Sequence, residues 1–236
     1  MSLIGYYTDN AVSKVVMKAF AKSGIKTAHI STFKFNKSTP AIFYGIMRGS
    51  GAAMRYLQYE GKSFHYLDNG YFDAIYMYKN GHKDMRGKYR VVRDDMIEPV
   101  DLLPVKTAKG GMRVLLLPPS VYSAFMYDTT PEDWLIYWDK ELRNAGHYVD
   151  MRKKNDEKPL EEVLKSFDAV FAFNSIGVIK AMEMGKAVYT THGIIRNADI
   201  FRDCAPYYDA EAVKEHYGSK QFSLDEIAEK GIKCLL

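Results

Sequence analysis

The run Arg113-Val114-Leu115-Leu116-Leu117 constrains the fold more than any other stretch of this chain. Four apolar residues in succession, neither alternating nor helically spaced, describe a strand buried on both faces. Such strands belong to parallel sheets covered by helices on either side. The residues that follow have the matching rhythm. Pro131–Ala145 reads as a helix stopped by Gly146, His147–Met151 as a strand, Leu160–Ser166 as a short helix and Ala169–Phe173 as a strand. Ser175–Met184 then reads as a helix ending at Gly185, Ala187–Thr190 as a strand, and Ala210–Tyr217 and Leu224–Lys233 as two closing helices. The residues that precede the run alternate in the same way. Strands at Leu3–Tyr7, Lys26–Ile30, Ala41–Ile46 and Phe64–Leu67 are separated by helices over Val12–Ser23 and Ala52–Tyr59. Pro99, Pro104 and Gly110-Gly111 break the pattern and mark a boundary. The expected fold is α/β: two small Rossmann-like open parallel sheets, over residues 1–104 and 111–236, with an interdomain cleft. Ligands of such sheets sit beyond the C-terminal strand ends, so the cleft is the expected site.

Composition removes other classes. The chain has 236 residues, enough for such a pair of domains. No apolar run approaches the ~18 residues of a membrane span, so no membrane partner is expected. The opening MSLIGYYTDN lacks the basic-then-apolar layout of a signal peptide, which predicts a cytoplasmic address, the host cytoplasm if the protein is viral. Cys204 and Cys234 are too few for a disulfide scaffold or a four-ligand zinc site. Histidines 29, 65, 82, 147, 192 and 216 show no paired ligand spacing, so no metal is expected. P-loop, dinucleotide and nucleophile-elbow signatures do not occur. Charge is uneven: residues 1–110 carry 17 Lys/Arg against 9 Asp/Glu, and residues 111–236 carry 16 against 20. A polyanion would prefer the first part, although small domains also differ this much with no partner at all.

Chemistry concentrates between Asp168 and Val188. A buried strand runs into Asn174-Ser175, where a helix starts, and Gly177 permits close approach to the backbone. A Ser hydroxyl and free N–H groups at a helix start suit a diphosphate, and they equally suit a capped helix with no ligand. His192, in Thr190-Thr191-His192-Gly193, reads as a donor-phosphate or base contact or as a packed loop residue.

This stretch resembles the nucleotide-sugar half of two-domain, GT-B fold glycosyltransferases. The similarity extends upstream to Tyr148–Lys154 with Pro159-Leu160, and to Arg113–Ser120, covering roughly residues 113–190. The resemblance implies a donor-binding domain at 111–236. There Ser120, Arg152, Lys153, Asn174, Ser175, Gly177 and His192 would hold the donor diphosphate. Two positions depart from the pattern: Lys180 stands where the family has the glutamate that binds the donor ribose, and Ala187 where it has proline. Glu183, one helical turn away, is the expected substitute. The implied donor is a UDP-sugar, UDP-glucose first, with no cofactor or divalent metal required, because cations and helix dipole can stabilise the leaving diphosphate.

Residues 1–104 would then be the acceptor-side domain, and they look similar to small viral (phage) and bacterial relatives of polysaccharide and DNA-base glycosyltransferases. Ala41–Ser50 brings Arg48, and His65–Phe72 brings Asp68, to strand ends. Asp68 is the expected catalytic base with Asp73 second, and Arg48 its cationic neighbour; an Asx turn at Asp68-Asn69-Gly70 accounts for the same residues without a ligand. The segment 76–93 reads as an exposed basic ribbon or loop turning at Asn80-Gly81. Its Lys79, Lys83, Arg86, Lys88 and Arg90 would contact phosphates and Tyr89 would stack on a base. The expected activity is hexose transfer from a nucleotide sugar to a hydroxymethylated pyrimidine in DNA. Transfer to a glycan is the alternative within the enzymes, and a non-catalytic nucleotide- or DNA-binding relative the alternative outside them.

Overall fold

The computed structural model describes residues 3–35, 40–46, 49–62, 64–70, 78–79, 82–83, 89–93, 106–108, 111–153, 156–192, 195–218 and 221–235, with 78–79, 82–83, 90–93, 106–108 and 216–217 described by backbone alone. The chain forms two compact units, Met1–Met96 with His216–Leu236, and Ile97–Glu215.

In the first unit, β1 (Ile4–Tyr7), β2 (Lys26–His29), β3 (Ala41–Tyr44) and β4 (Phe64–Asn69) pair in parallel in the order β4-β3-β1-β2. Helices α1 (Ala11–Lys22) and α2 (Ser50–Tyr59) connect them. Asn10 starts α1, its Oδ1 accepting from the N–H groups of Val12 at 2.9 Å and Ser13 at 3.2 Å. Val12, Val16 and Phe20 bury the helix face, as their spacing predicts.

The sheet continues where a parallel block alone was expected. Strand β7 (Tyr89–Arg93) pairs antiparallel with β4, setting Asp68 opposite Arg90, and β14 (Gln221–Phe222) pairs antiparallel with β7. Part of the expected basic ribbon is therefore an integral strand. Ahead of it, β5 (Tyr78–Lys79) and β6 (His82–Lys83) pair antiparallel, while the expected turn residues Asn80-Gly81 lie outside the described residues.

The last 21 residues are the larger correction, because they belong to the first unit rather than to a domain spanning 111–236. Helix α8 (Leu224–Lys230) opens on a reciprocal capping box. Ser223 Oγ accepts from Glu226 N–H at 3.2 Å, and the Glu226 carboxylate accepts from Ser223 N–H at 2.8 Å. Ile227, Cys234 and Leu235 then bury against the same core as Val12, Val16 and Phe20. The return needs Gly231: its φ is +54°, and a Cβ there would lie 2.6 Å from Ser23 Oγ. The apolar stripe of α8 is visible in sequence, but the face it covers is not. Deleting His216–Leu236 is expected to leave the α1 face open and abolish cooperative folding of the first unit. The second unit should keep its tryptophan fluorescence. Amide exchange reads both, and a protected β1–β4 sheet in the truncated chain contradicts this.

The second unit holds β9 (Arg113–Leu117), β10 (Tyr148–Met151), β11 (Ala169–Ala172) and β12 (Ala187–Thr190), all parallel, in the order β10-β9-β11-β12. The four apolar residues of β9 are buried as expected, and so are all of β11 and β12. Between strands lie α3 (Val121–Phe125), α4 (Pro131–Asn144), α5 (Leu160–Leu164) and α6 (Gly177–Glu183). Phe171 is the hub of the core, with ring centroids of Trp138 at 4.5 Å, Tyr189 at 5.7 Å, Trp134 at 6.0 Å and Phe201 at 6.2 Å. The segment expected as a linker is structured in part: β8 (Lys106–Ala108) pairs antiparallel with β13 (Ala205–Tyr207). Helix α7 (Ala210–Gly218) carries the chain back to the first unit. Among the described residues no helix is long and apolar enough to cross a membrane.

Candidate functional site

Because β9 to β12 are all parallel, the residues that follow them emerge along one edge of the second sheet. The ladder continues past the strand ends. Arg152 N–H donates to Leu116 O at 3.0 Å, Phe173 N–H to Leu117 O at 3.1 Å, Thr191 N–H to Ala172 O at 3.1 Å and His192 N–H to Phe173 O at 2.7 Å. Ser120, Arg152, Asn174-Ser175 and His192 are thereby brought to the same edge, as the sequence reading required.

Two hydroxyls on this edge have the same local chemistry. Ser120 caps α3, its Oγ accepting from Ser123 N–H at 3.1 Å, and Ser175 Oγ accepts from Gly177 N–H at 3.1 Å. Each keeps its own proton to donate. Asn174 Nδ2 donates to Ser123 Oγ at 2.8 Å and ties the two turns together. Helix α6 starts at Gly177 rather than Ser175, and Ser175 reaches it from two residues upstream. Gly177 serves the protein before any ligand: a Cβ would meet Leu160 Cδ2 at 2.9 Å and Leu117 Cδ1 at 3.3 Å.

Arg152 has a double character. Its Nη2 donates to Lys158 O at 2.7 Å, which folds the loop after β10, while its Nε is buried with no hydrogen-bond partner among the described residues. Lys153 is exposed beside it, with its N–H donating to Asp156 Oδ2 at 3.0 Å.

Glu183 does not join this edge. It closes α6, about 9 Å along the axis from Gly177 at 1.5 Å per residue. Lys180 holds it at 2.8 Å and Lys214 at 3.6 Å, while Lys180 also faces Glu161 at 3.7 Å. Lys180 is thus the centre of an ion-pair network.

His192 forms a three-ring cluster with Phe173, ring centroids 4.2 Å apart, and Tyr127 at 4.3 Å, those two rings being 5.2 Å from each other. Burial, helped by the nearby Arg196 charge, pushes its imidazole down to about 4 from an ordinary 6.5. Burial also lowers buried His147, which accepts from Met112 N–H at 3.2 Å. Both groups refuse a proton that the unfolded chain accepts. Stability is therefore full above about pH 6.5 and falls as pH drops toward 4. For His192 the ceiling is about 3 kcal/mol at 1.36 kcal/mol per pH unit, less what partial exposure screens. Urea unfolding at pH 7.5 and pH 4.5 should show this loss in the wild type and a smaller one in His192→Asn. Equal losses in the two proteins contradict it.

The loop after β12 holds residues that sequence reasoning missed. Buried Asn197 accepts from Thr190 N–H at 2.9 Å and donates to Val188 O at 2.9 Å and to Tyr208 Oη at 2.8 Å. Ile195 and Arg196, neither a glycine, take φ of +72° and +51°. Left-handed backbone at such residues is costly and persists where surrounding bonds impose it. A polar residue in Arg196-Asn197-Ala198 gives no sequence signal of this kind.

On the first unit, parallel β1 to β4 likewise bring their following residues to one edge. Asp68 lies within β4 rather than in a loop beyond it, and its Oδ1 accepts from Asn69 N–H at 2.8 Å. Tyr44 Oη donates to Asn69 Oδ1 at 3.0 Å. Tyr89 is a further correction: its ring is buried in the core, 5.8 Å from the Tyr44 ring, so it offers no face to a base. Arg48, Asp73, Arg86 and Lys88 lie outside the described residues, and Lys79, Lys83 and Arg90 are placed by their backbones on β5, β6 and β7.

These features define a protein of two Rossmann-like α/β units. No family model matches the chain, and no curated protein does. Among solved structures it is similar to Thermosulfurimonas dismutans KpsC, a beta Kdo 2,4 transferase, with a TM-score of 0.44 and 12% identity over 97% of this chain and 97% of that one.

Proposed function

We propose that this chain is a sugar-nucleotide-dependent glycosyltransferase whose donor diphosphate binds along the C-terminal edge of the β10-β9-β11-β12 sheet. The observation that carries the reading is Arg152. A buried guanidinium N–H without a partner among the described residues stands on the edge that also presents the Ser120 and Ser175 hydroxyls. A buried charged donor left unsatisfied is costly, and the remaining N–H groups of the same guanidinium can make a charge-assisted bond to a phosphoryl oxygen. Lys153 adds charge, and the resemblance of residues 113–190 to donor-binding domains supplies the class of ligand. The proposed donor is a UDP-sugar, UDP-glucose first.

In an inverting transfer the acceptor oxygen loses its proton to a base, bonds to the anomeric carbon, and the nucleoside diphosphate leaves. Asp68 is the proposed base, with Arg48 as its cationic neighbour. The proposed acceptor is a hydroxymethylated pyrimidine in DNA, supported by the basic balance of residues 1–110 and the hairpin bearing Lys79 and Lys83. A glycan hydroxyl is the second reading, and Tyr89 favours it, since one expected stacking ring is core. Lys180 at the ribose-binding position favours a third, a nucleotide-binding protein without transfer. Incubation with hydroxymethylated DNA, glycan acceptors and a panel of sugar nucleotides, read by mass spectrometry, separates the three. A hexose added to the base supports the first. Addition to glycan alone selects the second, and donor binding without transfer the third. Arg152→Ala should weaken UDP-glucose binding by roughly 1.5–3 kcal/mol, the worth of a charge-assisted bond, by calorimetry. Unchanged affinity removes Arg152 from the site.

A further inference from the structure

The aromatic cluster at the end of β12 contains a hydrogen-bond chain that the nucleotide-sugar reading does not require. Trp134 Nε1 lies 3.2 Å from Thr191 Oγ1, and an indole N–H can only donate, so the threonine oxygen accepts. The threonine proton has two acceptors in reach: His192 Nδ1 at 3.0 Å and, at the outer limit of a hydrogen bond, Phe173 O at 3.5 Å. The shorter contact assigns the proton to the imidazole, and with that assignment Nδ1 accepts and the ring proton sits on Nε2. The side chain packs against two neighbouring rings, Phe173 stacked at 26° and Tyr127 tilted at 50°, which themselves lie 5.2 Å apart and crowd one side of the imidazole. The main chain is held by the 2.7 Å bond from His192 N–H to Phe173 O. Arg196 is the charge that acts on the ring, and it opposes a second proton. Nε2 has no hydrogen-bond partner among the described residues, and it is not among their enclosed, unpartnered atoms.

We propose that Trp134 and Thr191 are positioning residues that hold His192 as its uncharged Nε2–H tautomer, so that the sheet edge offers a phosphoryl oxygen of a nucleoside diphosphate one fixed neutral donor. The proposal rests on the nucleotide-sugar reading for its ligand, and on the relay alone for its tautomer. The division of labour follows from the chemistry. Arg152 and Lys153 supply charge, which attracts an anion from any direction, while an oriented neutral donor selects one oxygen. A histidine that stays uncharged keeps that role through the physiological pH range.

The test uses the full chain labelled with nitrogen-15 in histidine, free and with uridine diphosphate, as wild type, Thr191→Val and Thr191→Ser. The wild-type ring should carry its proton on Nε2 and stay neutral from pH 8 to pH 5. Uridine diphosphate should shift the Nε2 resonance. Thr191→Val should change the Nδ1 resonance and weaken uridine diphosphate binding about threefold to tenfold, the worth of one neutral hydrogen bond, with Thr191→Ser restoring both. A proton on Nδ1, a wild-type titration near 6.5, or a Thr191→Val spectrum like the wild type overturns the relay. Uridine diphosphate that binds by calorimetry yet leaves Nε2 unmoved overturns the ligand assignment. If uridine diphosphate does not bind at all, the nucleotide-sugar reading fails with that assignment, while the ligand-free spectra still decide the relay.

Discussion

Phe171→Ala is expected to destabilise the second unit by about 3–5 kcal/mol, the range for removing a fully buried phenylalanine. The site explains why the value belongs near the top of that range. Phe171 is wholly inaccessible in the middle of β11, and its ring touches aromatic residues from α4, β12 and the turn at Ala198–Arg202. Alanine would leave a cavity walled by rings that cannot collapse without moving their own elements. The chain's two tryptophans, Trp134 and Trp138, both lie against Phe171, so fluorescence-detected urea unfolding reports on the cavity directly. Because β11 leads into Asn174-Ser175, the same variant should weaken donor binding through loss of edge order. A loss of stability under 1 kcal/mol contradicts this description of the core.

Asp68→Asn should lower turnover by about 10²–10⁴-fold, the usual contribution of a positioned general base. The substitution keeps shape and hydrogen-bonding reach, and an amide oxygen can still accept from Asn69 N–H, whose bond to Asp68 Oδ1 is 2.8 Å. The first unit should therefore remain folded, and UDP-glucose affinity should match the wild type, because the proposed donor edge is on the other unit. A variant that retains turnover within tenfold reassigns the base. One that loses donor affinity as well shows a structural role for the carboxylate instead.

The legibility of this chain in its sequence follows from how local each signal is. The strand Val114–Leu117 declares its burial by composition alone, and the glycine-stopped helices declare their ends, so both parallel sheets were accessible. Tyr89–Arg93 was misread because its charges outweigh its alternation. Arg90 is in register with Asp68 in a sheet whose existence depends on partners 20 to 133 residues away. The return of α8 was illegible for the same reason, since an apolar stripe names no partner. At the candidate site, Ser120, Arg152 and Ser175 could be placed on one edge from sequence because each follows a strand in a parallel sheet. Glu183 was misplaced because helical spacing gives a face but not the lysines that Lys180 and Lys214 bring to it. Asn197 acts through contacts 7 to 11 residues apart and Trp134 reaches Thr191 across 57, which no local pattern encodes.

Amide hydrogen exchange of the full chain with and without UDP-glucose tests the placement of the donor most directly. The account predicts slowed exchange in the turns after β9 and β11, at Ser120–Ser123 and Ser175–Ile179, together with Arg152-Lys153, and little change at the opposite sheet edge around Arg113 and Ala169. Protection confined to that opposite edge, or no protection anywhere at saturating UDP-glucose, would contradict it.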